Sequence, residues 1–139
     1  MRKLFSILLI GSAIICVPVC AENNEVIRNA TQAAQLWLTS ADAGHYDETW
    51  EQAAPVFQQT VTKAEWEFIL RVVRTTIGDL KNRSVVSVAF AEKLPGARTG
   101  KYVVIQYASE YTKKAEVIET VVPMLNEDGI WKVSGYFVK

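Results

Sequence analysis

The apolar residues of this chain keep a helical period as far as Ile77 and a two-residue period from Ser84 onward. That change of rhythm limits the fold to helices followed by strands. From Glu25 to Asp42, Val26, Ile27, Ala30, Ala33, Ala34, Trp37, Leu38 and Ala41 recur on one side of a helix, with Arg28, Gln32, Gln35 and Thr39 on the other. Gly44 suits a helix end, and a short second helix is expected over Asp47–Ala54, limited by Pro55. Thr62-Lys63-Ala64-Glu65 has the spacing of a capping box, in which a hydroxyl and a carboxylate accept from otherwise unpaired backbone N–H groups. It opens a third helix whose expected buried stripe is Trp66, Ile69, Leu70, Val73 and Ile77, with Lys63, Glu67 and Arg71 solvated and Gly78 as the stop.

Four strands are expected after this point. Ser84–Ala91 places Val86, Val88 and Phe90 on one face, and Lys101–Tyr111 and Glu116–Leu125 follow. The turn Asn126-Glu127-Asp128-Gly129 feeds Ile130–Val138, with Trp131, Val133 and Phe137 alternating onto one side. Leu94–Gly100, with a proline and two glycines, reads as a loop. Three N-terminal helices on a curved four-stranded antiparallel sheet make an α+β domain, and helices over a concave sheet enclose a cone. Trp37, Tyr46, Trp50, Phe57, Trp66, Phe90, Tyr107, Trp131 and Phe137 either line that cone or fill it. A domain this small needs most of its large side chains for stability, which favours filling. If a pocket is open, Trp37, Tyr46, Trp50, Tyr107 and Trp131 are its candidate walls.

The sequence has 139 residues, half of them apolar and 22% charged, with 15 basic against 15 acidic side chains. That is one small folded domain without the basic footprint of a nucleic-acid binder. Arg2 and Lys3 precede the apolar run Leu4–Val17, and Val19-Cys20-Ala21 supplies small residues at a cleavage point. Residues 1–21 therefore read as a secretory signal cut after Ala21, with residues 22–139 as the domain. The run is short for a membrane anchor and the polar Glu22-Asn23-Asn24 follows it, so no membrane attachment is expected after cleavage. A lipid on Cys20 is the competing reading, disfavoured by Pro18 and Val19 before it. Cys16 and Cys20 are the only cysteines, so the mature chain would have neither a disulfide nor a thiolate.

Little catalytic chemistry is left. His45, the single histidine, sits in a turn, and no glycine-flanked serine presents a nucleophile. Asp47-Glu48 and Glu127-Asp128 are adjacent pairs at a helix start and a turn, so no metal site is expected, and no motif cradles a phosphate or calls for a cofactor. Glu119 stands inside an apolar strand, and a buried carboxylate requires a partner. Arg74, on the border of the third helix's stripe, and Arg83 are its candidates, in a structural ion pair between helix and sheet. The functional alternative makes Glu119 a general base with Tyr46, Tyr107 or Tyr136, but an arginine partner would lower its basicity.

A set of short motifs then recurs in order. Trp37-Leu38, Asp42-Ala43-Gly44, Tyr46, Thr49-Trp50 and Ala53-Ala54-Pro55 are followed by Trp66, Arg74, Ile77-Gly78 and Arg83. Leu94-Pro95-Gly96-Ala97, Gly100, Tyr102-Val103-Val104, Glu119-Thr120-Val121, Asp128-Gly129 and Trp131–Phe137 complete the set. In these the chain resembles the bacterial exported family called domain of unknown function 4019. Thr49, where a serine is common, and Arg98, where a proline is, are small departures. The resemblance implies a cystatin-like cone similar to nuclear transport factor two, and a periplasmic or secreted location. It passes on no activity, because such cones serve isomerases, dehydratases and binding modules alike. The expectation is an exported, non-catalytic domain that binds a small ligand or a protein. The alternatives are an isomerase or lyase using Glu119, and a structural homodimer joined through an outward patch of Tyr102, Val104, Ile118 and Val122.

Overall fold

The structure, a computed structural model, describes the backbone of residues 19–139 and the side chains of residues 22–139. The expectations for residues 1–18, including Cys16, and for the side chain of Cys20 lie outside the described residues. Helices α1 (Val19–Asp42), α2 (Tyr46–Glu51), α3 (Pro55–Thr60) and α4 (Lys63–Ile77) precede strands β1 (Leu80–Ala91), β2 (Tyr102–Tyr111), β3 (Lys114–Leu125) and β4 (Trp131–Val138). The sheet is an antiparallel meander in the order β1-β2-β3-β4.

Against the three expected helices, α3 is an addition. Pro55 does not only stop the preceding segment. It stands at the first helical position, where a missing N–H costs nothing and its fixed φ suits the turn, and the turn it starts buries Phe57. The capping box opens α4 as its spacing requires, with Glu65 N donating to Thr62 Oγ1 and Thr62 N to Glu65 Oε2. Gly78 closes α4 at φ 86° and ψ −154°, a backbone region that glycine alone enters readily. The buried stripe of α4 is Trp66, Leu70, Arg74 and Ile77, while Ile69 is 46% exposed. The helix is turned toward the 66-70-74 row because Arg74 is drawn inward by carboxylates. Strand β1 starts four residues earlier than alternation alone suggests, since Lys81, Asn82 and Arg83 hide its first turn from a hydrophobicity pattern.

Two bulges correct the expected strand faces. Val85 pairs with Tyr107 and Ser87 with Gln106, so Val86 is an extra residue, out of phase with Val88 and Phe90. On β4, Val133 pairs with Pro123 and Gly135 with Val122, which makes Ser134 the extra residue. The slip turns Tyr136 onto the helix side and Phe137 outward, so Phe137 does not share a face with Val133.

The core lies between α1 and the concave face. Ala30, Ala34, Trp37, Leu38 and Ala41 meet Val103, Ile105, Tyr107, Val121 and Val133, the alanines letting the helix sit close on the sheet. A smaller cluster of Ile77, Tyr111 and Val117 seals the far end.

Candidate functional site

Of the nine aromatics expected in or around the cone, Trp37, Phe57, Trp66 and Tyr107 are core, and Tyr136 packs against them. Trp37 and Tyr136 have ring centroids 5.0 Å apart, and Phe57 meets Trp66 edge-on at 4.8 Å. Such pairs add about 0.5–1.5 kcal/mol each beyond the area they bury. Trp37 Nε1 donates to Thr49 O and Trp66 Nε1 to Thr49 Oγ1, both at 2.8 Å, so the polar edges of the indoles are satisfied. Phe90 and Phe137 point to solvent, at 41% and 63% exposed, and are not cone residues.

The five candidate walls pack into or against one core cluster and line no common pocket. Tyr107 is buried on β2, Trp50 is half-buried and donates to Val61 O, and Tyr46 carries Arg71 over its ring at 5.7 Å. Only Trp37 and Trp131 share a groove, an open one at the surface with Leu36 and Ile130. Side chains occupy the cone.

At its far end lies a polar network that is buried at Glu119 and reaches the surface at Asp42, beside a groove that Asp42 and Arg74 line. Glu119 on β3 is fully buried and accepts from four residues: Arg83 Nε and Nη2 at 2.7 and 3.1 Å, Ser109 Oγ at 2.5 Å, Tyr111 OH at 2.7 Å and Tyr136 OH at 2.5 Å. Arg74 Nη2 stands 3.6 Å from the same carboxylate. Asp42, at the end of α1, accepts from Arg74 Nη1 at 2.6 Å and from Arg83 Nη1 and Nη2 at 2.7 and 3.0 Å. Two guanidinium groups thus face two carboxylates, and the cluster is charge-balanced. Pairing and hydrogen bonding of this density are what make burial of such groups tolerable. Asp42, Ser109 and Tyr111 are the members that residue type alone does not single out, and Tyr136, expected beside Glu119 as an acid–base partner, is a hydrogen-bond donor to it. Asp42 was legible only as a polar residue at a helix end.

The network fixes its protonation states. Burial alone would raise the Glu119 pKa, but hydrogen bonds from Arg83, Ser109 and Tyr136 and the charge of Arg83 hold it down at about 2. Burial raises Tyr136 and Tyr111, and Glu119 beside them adds to the effect, so both stay protonated donors. Tyr107 is also raised by burial, and its hydroxyl has no hydrogen-bond partner among the described residues. A carboxylate filled by four donors and tyrosines pushed away from neutrality make a poor acid–base set.

Elsewhere the surface offers less. His45 is exposed, with Nδ1 3.4 Å from Glu48 Oε2. Among the described residues no three His, Cys, Asp or Glu side chains group as metal ligands, and no helix is long and apolar enough to cross a membrane. The expected outward patch is divided. Ile118 is exposed and Val104 half-buried, whereas Tyr102 and Val122 are buried. The reason is the Leu94–Gly100 loop, which folds over the outer face of the sheet and takes the Tyr102 hydroxyl on Arg98 O at 2.7 Å. Between loop and sheet it leaves a groove of about 380 Å3 walled by Leu94, Pro95, Val122, Met124 and Phe137, with Arg98 its one charged residue.

Helices on one face of a four-stranded antiparallel meander, with aromatics inside and one buried ion network, define an α+β cone domain. Residues 33–136 match the family model described as protein of unknown function (DUF4019), and the chain belongs to that family. A solved structure from Catenulispora acidiphila superposes with a TM-score of 0.57 at 10% identity, over 86% of this chain and 94% of the other, a likeness of fold alone. Among curated proteins none matches the chain significantly.

Proposed function

We propose that this is an exported, non-catalytic binding domain that takes a small apolar ligand with an anionic end, on the outer face of its sheet. One contrast carries the reading: the cone is filled and its buried carboxylate fully engaged, whereas the groove under Leu94–Gly100 is open and apolar with a single positive charge. Concave apolar walls with few polar groups are what small-ligand sites are made of. An isomerase or lyase acting through Glu119 would need that group to take up a proton, and its four donors and low pKa oppose this. Export rests on the residue order at the amino end, two basic residues, an apolar run and Val19-Cys20-Ala21, and puts the domain in the periplasm or outside the cell with Glu22 as its first residue.

The test uses an apolar fluorescent sulfonate, anilinonaphthalene sulfonate, on the native protein. Saturable binding with blue-shifted emission is expected, lost in Phe137→Asp and weakened in Arg98→Glu while both variants keep the wild-type melting temperature. No saturable binding, or equal binding by Phe137→Asp, overturns the reading.

A further inference from the structure

Strand β1 lies at the edge of the sheet, and no strand among the described residues pairs with its free side. Every residue from Ser84 to Phe90 is exposed, so the strand is uncovered on both faces as well as along its edge. This stretch, Ser84-Val85-Val86-Ser87-Val88-Ala89-Phe90, has no charge, no proline and no glycine, and Val85, Val86, Val88 and Phe90 are 36–60% exposed. Folded proteins defend such edges with inward charges, prolines or short strands, and a long neutral one is a template for another strand. Here the only such device is the bulge at Val86.

We propose that β1 pairs with β1 of a second copy, antiparallel across a two-fold axis between Val86 and Ser87, joining two four-stranded sheets into one of eight. The bulge selects this arrangement. Val85 and Val88 lie on the helix side, opposite Tyr107 and Ile105, because the extra residue shifts the alternation between them. Arg83 and Phe90, opposite Ser109 and Val103, share that side, whereas Ser84 and Ala89 lie outward. With the axis at the bulge, Val85 meets Val88 of the other copy, Arg83 meets Phe90 and Ser84 meets Ala89, so each face continues across the junction.

Faces exclude the register slipped toward the carboxyl end, which would set outward Ser87 against Val88 on the helix side, and charge excludes the one slipped toward the amino end. The pairing brings Glu92 opposite Lys81 of the other copy, and a slip of two residues toward the amino end would bring Glu92 opposite Asp79. Lys81 holds Glu110 within its own sheet and is still half-exposed, within reach of a second carboxylate. A parallel arrangement would instead set each end beside its own copy, like charge against like.

Sedimentation velocity over a dilution series of the purified protein is the test, with circular dichroism and melting temperature checking that each variant is folded. A concentration-dependent dimer is expected, abolished by Val86→Lys and weakened by Lys81→Glu. The double variant Lys81→Glu/Glu92→Lys should recover it, since the swap restores the pairing. Oxidation of Val85→Cys/Val88→Cys should give a covalent dimer. A protein that stays monomeric at every concentration overturns the proposal. So does a dimer that survives Val86→Lys but is broken by Ile118→Asp, which would place the contact on the outer sheet face, and so does failure of the charge swap to rescue.

Discussion

Trp66 donates its indole N–H to the hydroxyl of Thr49 at 2.8 Å, and that hydroxyl donates onward to Tyr46 O at 2.6 Å. A single fully buried threonine therefore links α4 to the first turn of α2. Thr49→Val keeps the volume and leaves the buried indole N–H without a partner, at a cost of about 1–3 kcal/mol. Thr49→Ser keeps the hydroxyl and loses one buried methyl, about 1 kcal/mol. Denaturant titration should rank wild type, serine and valine in that order, and valine equal to serine would mean that the hydroxyl does no work there.

Glu119→Ala removes the acceptor of four donors and uncovers two arginines, a change of the kind that costs about 3–5 kcal/mol. The variant should unfold or melt far below wild type. An unchanged melting temperature would mean that the network contributes nothing to stability.

The depressed pKa of Glu119 also sets an acid limit. A carboxylate lowered from 4.5 to about 2 on folding stabilises the protein fully above its unfolded value, and the contribution is lost as pH falls from there through the folded value. Stability measured by urea titration should therefore drop between about pH 4.5 and 2. In Tyr136→Phe, which removes one donor, the Glu119 pKa should rise, and 13C NMR of the labelled side chain would show it. A Glu119 pKa unmoved in that variant would contradict the assignment.

At Gly78 a β-carbon would lie 2.1 Å from Thr112 Oγ1 and 3.1 Å from Lys113 N, in a backbone region closed to other residues. Gly78→Ala is expected to lose about 1–3 kcal/mol. Gly44, also at positive φ, has open space around it, so Gly44→Asn should be tolerated better. Thermal melts of the two variants give the comparison.

Glu22 to Glu25 are exposed, and Val26 is the first residue of α1 packed on the core. A chain starting at Glu22 should therefore match the melting temperature of the full-length chain, whereas one starting after Ala34 should not fold. Intact mass of protein recovered from the exported fraction should begin at Glu22. A lipidated Cys20 or an uncut amino end would remove the basis for the assigned compartment.

The order of elements and the caps of α4 could be read from the sequence because they depend on local spacing: a Thr-x-x-Glu box, a terminal glycine, a change from period 3.6 to period 2. The bulges could not. One extra residue at Val86 or Ser134 leaves the composition of a strand untouched and shows only in its pairing with β2 or β3, so the facing of Phe137 and of Val86 against Phe90 was out of reach. Glu119 stands out as a charge inside an apolar strand and Arg74 as one on the border of a buried stripe, with Arg83 the second candidate partner. Ser109 and Tyr111 look like ordinary strand residues until cross-strand register brings them, with Tyr136, to one carboxylate. The groove under Leu94–Gly100 is a tertiary property of a loop, and nothing in its residues states which way it folds.

The ion network also dictates when the chain can finish folding. Its members come from the end of the first helix, the last long helix and all four strands, and Tyr136 on β4 is the last of them in the chain. A ribosome releases Asp42 long before that residue. Until the final strand emerges, Glu119 lacks one of its donors, and a partial core would enclose an under-bonded charge. Closure of the network therefore waits on β4, the element that carries Tyr136.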